Sequence, residues 1–246
     1  MSTHPRTAML LAAGIGQRMR PLTEHTAKPL LTLGGKALLD HALDRLVEAG
    51  VETVAVNAFW QADRVAARLA ARATAGQAPH TILQRETTLL DTGGGTRAAL
   101  GRLGPDPFYV VNGDAFWLNG TRPALLRLAD GFDPAVDGVL LVHRTFQVHA
   151  DVGFGDFAVD KWGAPRRREE REVVPYVYAG VQLIAPALLD AMPEGPFSMN
   201  RAWDRAIAAG RLRAVVHDGL WFHLSTPSDL ADAETNLHAR LTGETR

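Results

Sequence analysis

The chain has 246 residues, 46% of them hydrophobic and 22% charged, which suits an ordinary soluble globular protein with a sizeable core. A net charge of -1 excludes a bulk positive field for nucleic acid or anionic membrane, so any bound anion must be held by a local cluster. The absence of cysteine excludes disulfides, thiolate metal sites and cysteine nucleophiles together. No apolar run approaches the roughly 18 residues of a membrane span, and Met1 to Thr7 carry no apolar targeting core. The expectation is a soluble, cytoplasmic protein.

In chain order, Met9 to Ala13 reads as a short buried strand. Leu39, Ala42, Leu43, Leu46 and Val47 recur at helical spacing from about Ala37, and Gly50 ends that helix. Val51, Val54 and Val56 lie in the next strand, and Ala62, Val65, Ala66, Leu69 and Ala70 mark a second helix. Further strands are predicted at 80–84, 108–112 and 138–142, with helices near 94–101 and 122–129 between them. Buried strands alternating with helices imply an α/β fold, a Rossmann-like, mainly parallel sheet flanked by helices. From about residue 150 the pattern changes to an α+β elaboration. It has a strand at 174–184, helices at 186–192 and 200–209, and short strands at 213–217 and 220–224. The last helix has Thr226 as N-cap, Pro227 at its first position and Asp229 in its first turn, with Leu230, Ala233, Leu237 and Leu241 on one face. One domain over 1–246 is expected, with a first part over 1–145 and a second over 146–246.

The strongest functional signal is the connection after the first strand. It runs about twenty residues, where loops of this type usually take about 2–6. It holds Gly14, Gly16, Arg18, Arg20, Pro21, Lys28 and Pro29, with Glu24 its only acid. Glycines directly after a buried strand let backbone N–H groups approach an anion; Arg18 adds a fork for phosphate oxygens and Lys28 a compact charge. A dinucleotide fingerprint fails because Met19 stands at the third glycine position, and strand two ends at Asn57 without a carboxylate for a ribose. A Walker loop fails because Gly35-Lys36-Ala37 lacks the hydroxyl residue.

The stretch Leu11-Ala12-Ala13-Gly14-Ile15-Gly16-Gln17-Arg18-Met19-Arg20-Pro21-Leu22-Thr23, followed by Lys28-Pro29-Leu30, resembles the signature of sugar-1-phosphate nucleotidyltransferases. The resemblance continues through Asp91-Thr92-Gly93-Gly94-Gly95, Val111-Asn112-Gly113-Asp114 and Tyr178-Ala179-Gly180-Val181, and more loosely through Trp221 to Thr226. Within the family, the short length without a C-terminal β-helix is most similar to N-acetylmuramate-1-phosphate uridylyltransferases. Short mannose-1-phosphate guanylyltransferases are the alternative.

The resemblance implies an NTP (UTP or GTP) and a sugar-1-phosphate as partners, Mg2+ as cofactor, and a monomer or small homo-oligomer. It puts Gly14, Gly16, Arg18 and Lys28 on the triphosphate, Ala12 and Ala13 near the nucleoside, and Glu86, Thr92 and Gly93 near the base. It puts Asn112, Gly155, Asp156, Tyr178 and Gly180 at the sugar, and Asp114 on the metal. Arg18, Lys28 and Asp114 are the catalytic candidates. Read from the residues alone, Asp114 also suits a turn cap, Glu86 a solvated surface and Tyr178 a packed aromatic. The three glycines at 93–95 suit either a flexible turn or a close ligand approach just before a helix.

One departure stands out. Where the family often reads Trp-x-Asp-Val-Gly-Thr, this chain has Trp221-Phe222-His223-Leu224-Ser225-Thr226. His223 thus takes the place of a second metal carboxylate. Imidazole suits Mn2+ better than Mg2+. His223 otherwise contacts phosphate or packs in the core, with Asp218 or Asp229 standing in for the carboxylate. The run Arg166 to Glu172 alternates in sign and reads as a solvated, mobile segment, in which one arginine can clamp the sugar phosphate. His149 and Asp151 suit a dyad or a polar loop equally. A nucleotide-sugar-sensing module on the same fold is the reading from another functional class.

Overall fold

The computed structural model describes residues 4–148 and 150–242, so the suggested His149–Asp151 dyad falls outside the described residues. In order, the elements are β1 (Thr7–Leu11), β2 (Thr32–Leu33), β3 (Lys36–Ala37), α1 (Leu38–Glu48), β4 (Thr53–Ala58), α2 (Ala62–Thr74) and β5 (His80–Arg85). They continue as α3 (Asp91–Leu103), β6 (Phe108–Asn112), β7 (Phe116–Leu118), α4 (Ala124–Asp130), β8 (Gly138–Arg144), β9 (Phe157–Val159) and β10 (Pro165–Arg167). The chain ends with β11 (Tyr176–Ile184), α5 (Ala187–Asp190), α6 (Met199–Ala208), β12 (Leu212–Val216), β13 (Leu220–Phe222) and α7 (Pro227–Thr242).

A nine-stranded mixed sheet runs β10-β9-β11-β6-β1-β4-β5, with β8 beside β11 and β12 beside β8. The β6-β1-β4-β5 half is parallel, and β11 joins it antiparallel through β6. Alternation along β1 shows how the layers form. Ala8 and Leu10 face α1, α2 and α4, whereas Met9 faces α3, α5 and α6. Leu39, Ala42, Leu43 and Leu46 are the buried stripe of α1, as their spacing predicts. A third cluster, with Leu33, Phe116, Leu224 and Leu237, docks α7 against the β2–β3 hairpin and β7. Thr226 caps α7: its Oγ1 accepts from the Asp229 N–H at 3.2 Å, while Asp229 Oδ2 accepts from the N–H of Thr226 at 2.8 Å.

Two expectations are corrected. Gly93, Gly94 and Gly95 are not a turn before a helix; they are buried in the first turns of α3. A Cβ on Gly93 would meet the Phe197 ring at 2.3 Å, and one on Gly94 would meet the Gly195 carbonyl oxygen at 2.3 Å. The N–H groups of both donate to Phe197 O at 2.9 and 3.1 Å. Bare helix surface is what lets the 195–197 segment lie against α3. Gly94→Ala therefore forces backbone apart and is expected to cost about 2 kcal/mol, the usual scale of overpacking. Denaturant unfolding checks this, and an unchanged midpoint would reject the packing role.

The Arg166–Glu172 run is not simply a solvated segment either. Arg166 and Arg167 belong to β10, paired with Ala158 and Phe157 of β9. Charge alternation hid a strand.

Candidate active site

The long connection after β1 is folded, not slack. Two 3-10 turns, Gln17–Met19 and Lys28–Leu30, occupy it, and Met19 is fully buried. Gly16 adopts φ +67°, a left-handed conformation that favours glycine. Thr23 Oγ1 donates to Gly16 O at 2.8 Å, and Trp60 Nε1 donates to Thr23 O at 3.0 Å, which ties the loop to the body. Among the described residues, no protein group accepts from the backbone N–H of Gly14, Ile15, Gly16, Gln17 or Arg18. Such a run of unclaimed donors is a ready anion cradle. Arg18 is exposed beside it and forms no ion pair among the described residues.

Across the cleft, β6 ends at Asn112 and delivers Asp114 at the carboxyl edge of the parallel strands. Gly113 allows the approach: its N–H donates to Leu11 O at 2.8 Å, and Pro29 packs where its side chain would stand. Lys28 Nζ reaches Asp114 Oδ2 at 2.5 Å, with the lysine side chain 15% and the carboxylate 34% exposed. Ala13, Gly14, Gly16, Arg18, Lys28, Thr92, Asn112 and Asp114 thus line one cleft of about 770 Å³.

A second compartment of about 280 Å³ adjoins it, sharing Leu11, Asp91, Thr92 and Asn112 as a common wall. Asp156, Arg167, Tyr178, Gln182 and Trp203 are among its other lining residues. Asp156 Oδ2 accepts from the Tyr178 N–H at 2.8 Å. The Tyr178 ring packs edge-on against Trp203 at 4.7 Å, and burial pushes its phenol well above the usual range. Gly155 and Gly180 do not line either compartment. Gly180 (φ +79°) sits where the β11–β8 register slips between Tyr178 and Gln182, and it brings β11 close to Asn112.

Glu86 turns inward. Its Oε1 accepts from Asn57 Nδ2 at 2.7 Å and its Oε2 from the Leu90 N–H at 3.0 Å. Asn57 Oδ1 in turn accepts from the buried Ala12 N–H at 2.8 Å. Asn57, set aside in the sequence for lacking a carboxylate, therefore holds the end of β1 and lines the cleft. A polar residue ending an apolar strand was its one signal. Gly93 faces Phe197 rather than open space, and Thr92 Oγ1 accepts from the Met199 N–H at 2.9 Å.

His223 lies at the border of the cluster. Burial lowers its pKa; Asp229 opposes that shift, whereas Lys28 and Arg18 reinforce it. Its ring opens on a separate cavity of about 610 Å³ between β13, α7 and the segment after β8. Asp218 is committed to Arg127 at 2.9 Å and Asp229 to the α7 cap, so neither takes up the missing carboxylate. Ser225, by contrast, lines the cleft with its Oγ buried and unpartnered among the described residues. No group of three His, Asp or Glu side chains among the described residues could enclose a metal ion. One carboxylate facing a phosphate-sized cradle still fits Mg2+, which commonly uses one or two carboxylates and lets substrate phosphates complete its shell.

A glycine-led anion cradle beside a lysine–carboxylate pair suits the transfer of a nucleotidyl group. The chain belongs to the MobA-like NTP transferase domain family, which it matches over residues 8–165. It is 41% identical to the N-acetylmuramate alpha-1-phosphate uridylyltransferase of Caulobacter vibrioides, over 96% of this chain and 99% of that one. It is 30% identical to the enzyme of the same name from Neisseria meningitidis, over 92% and 96%. Its fold superimposes on a UDP-glucose pyrophosphorylase solved with UDP-glucose at a TM-score of 0.79, with 14% identity and 96% and 99% coverage. No helix among the described residues is long and apolar enough to cross a membrane.

Proposed function

We propose that this protein transfers a uridylyl group from UTP to N-acetylmuramate-1-phosphate, forming the nucleotide sugar and pyrophosphate. The observation that carries the reading is the pairing of the unclaimed N–H run at Gly14–Arg18 with the Lys28–Asp114 pair, beside a second compartment joined by a shared wall. The choice of uridylyl and muramate rests on the two relatives that bear that name over nearly their full length.

The cradle and Arg18 hold the triphosphate, and Ala12, Ala13 and the Asn57–Glu86 pair shape the nucleoside end. Lys28 neutralises phosphate charge while Asp114 orients its ammonium. The acceptor lies against Asn112, Asp156 and Tyr178, with its phosphate directed through the shared wall. A phosphate oxygen of the acceptor attacks the α-phosphorus, the α–β bridging P–O bond breaks, and pyrophosphate leaves with the bond electrons. No covalent nucleophile is required, so positioning and charge neutralisation supply the catalysis. Asp114 would hold Mg2+, which would add charge neutralisation at the phosphates when bound. The absence of cysteine suits a reducing compartment, and the cytoplasm is the proposed place of the reaction.

Pyrophosphate release from four NTPs against N-acetylmuramate, N-acetylglucosamine and mannose 1-phosphates tests the reading. UTP with the muramate acceptor is expected to give the highest kcat/KM, with activity lost in EDTA and restored by Mg2+ or Mn2+. Binding of nucleotide without turnover of any pair would instead favour a sensor.

A further inference from the structure

Arg167 has a position that the reaction chemistry alone does not require. It is the sole cation among the described residues lining the acceptor compartment, and it does not line the triphosphate cleft. Its guanidinium lies over the Phe157 ring at 4.7 Å and the Trp203 ring at 5.6 Å. Nε is ion-paired with Asp204 Oδ1 at 2.7 Å, a solvent-exposed carboxylate that only partly offsets its charge, and Nη2 donates to Asn200 Oδ1 at 2.9 Å. Two aromatic faces and two hydrogen bonds from α6 fix the plane of the group.

A guanidinium has five N–H donors, and two are used here. Both hydrogens on Nη1 and one on Nη2 remain without a protein acceptor among the described residues. Those three N–H groups are available to a carboxylate in the adjoining compartment. The other charged groups lining the compartment are Asp91 and Asp156. They repel an acid from their side, so an acidic substituent on the acceptor has one favourable place to lie.

We propose that Arg167 is the specificity residue for a carboxylate-bearing sugar. It receives the ether-linked lactic acid of the muramate acceptor, ionised at neutral pH, and thereby separates that acceptor from its neutral counterpart N-acetylglucosamine-1-phosphate. This rests on the reaction proposed above and adds the acceptor's recognition to it. The phosphate of the acceptor is served from the other side of the shared wall, by Lys28 and Arg18. Arg167 therefore acts on the choice of acceptor and not on phosphoryl chemistry.

The test crosses enzymes with acceptors. Wild type, Arg167→Gln and Arg167→Lys are assayed with UTP and three acceptors: N-acetylmuramate-1-phosphate, its lactyl amide and N-acetylglucosamine-1-phosphate. Arg167→Gln is expected to raise KM for the acid roughly 10- to 30-fold with kcat nearly unchanged, the scale of losing a charge-assisted contact at a site one third exposed. The amide and the neutral sugar should be unaffected, and Arg167→Lys should recover part of the loss. An unchanged KM for the acid, or an equal loss on all three acceptors, overturns the assignment. If the variants fail to fold, the wild-type comparison of acid with amide decides, and equal KM values overturn it. A wild type inactive on every acceptor overturns the nucleotidyl-transfer reading itself. A wild type active on the neutral sugar but indifferent to the acid overturns only the carboxylate subsite.

Discussion

Asp114→Asn is expected to lower kcat by roughly 10²- to 10³-fold while the protein stays folded. The asparagine keeps the size of the side chain and still accepts a hydrogen bond from Lys28 Nζ, which now meets Asp114 Oδ2 at 2.5 Å. It lacks the charge that holds a hard cation and keeps the lysine aimed at the cleft. The Lys28 side chain is only 15% exposed and loses its ionic partner while keeping an amide acceptor, so the melting temperature should fall by a few degrees without loss of the fold. Pyrophosphate release under saturating UTP, beside a thermal melt, gives both readings. Near-normal turnover in a folded variant would remove Asp114 from the chemistry.

The second large effect lies in the scaffold. Asp40 of α1 is fully buried and accepts from Arg68 Nε at 2.8 Å and from Arg72 Nη1 at 3.1 Å, both arginines on α2. Arg72 is itself only 5% exposed and also donates to Ala78 O at 2.8 Å. Asp40→Ala removes one of two carboxylates from that buried guanidinium, leaving Asp44 Oδ1 at 3.1 Å as its remaining ionic partner, a loss of about 3 kcal/mol. For a chain of this size the melting temperature should fall by roughly 10 °C. Urea unfolding gives the free energy directly, and a shift within about 1 kcal/mol would mean that water or another acceptor takes over the arginine. Replacing both Asp40 and Arg72 by apolar residues of similar volume should recover much of the stability, because the penalty comes from a buried guanidinium short of acceptors, and Asp44 keeps Lys36 as a partner.

The β1 loop was legible because glycine spacing and an overlong connection are local signals, and the α/β alternation was legible because period is. The Ala12–Asn57–Glu86 relay was not, since its members are 45 and 29 residues apart and each bond depends on sheet register. Gly93–Gly95 were misplaced for a related reason. Glycine costs about 1 kcal/mol in a helix, so propensity argues for a turn, and only contact with Phe197 and Gly195 reveals why α3 needs them. Arg167 could not be singled out among its neighbours because Asn200, Asp204 and Trp203, which fix it, come from another helix. His223 was flagged by sequence, yet the cavity on its far side follows only from how α7 docks.

The tether from Trp60 through Thr23 to Gly16 has a consequence for how tightly small anions can be held. Freezing a slack segment around a ligand costs about 1–2 kcal/mol per residue, which for even half of this connection would exceed what a triphosphate returns. Here that freezing is complete when the chain folds. Nucleotide therefore meets a surface already in its working shape, and the attraction of its phosphates is left for affinity rather than for ordering the polypeptide.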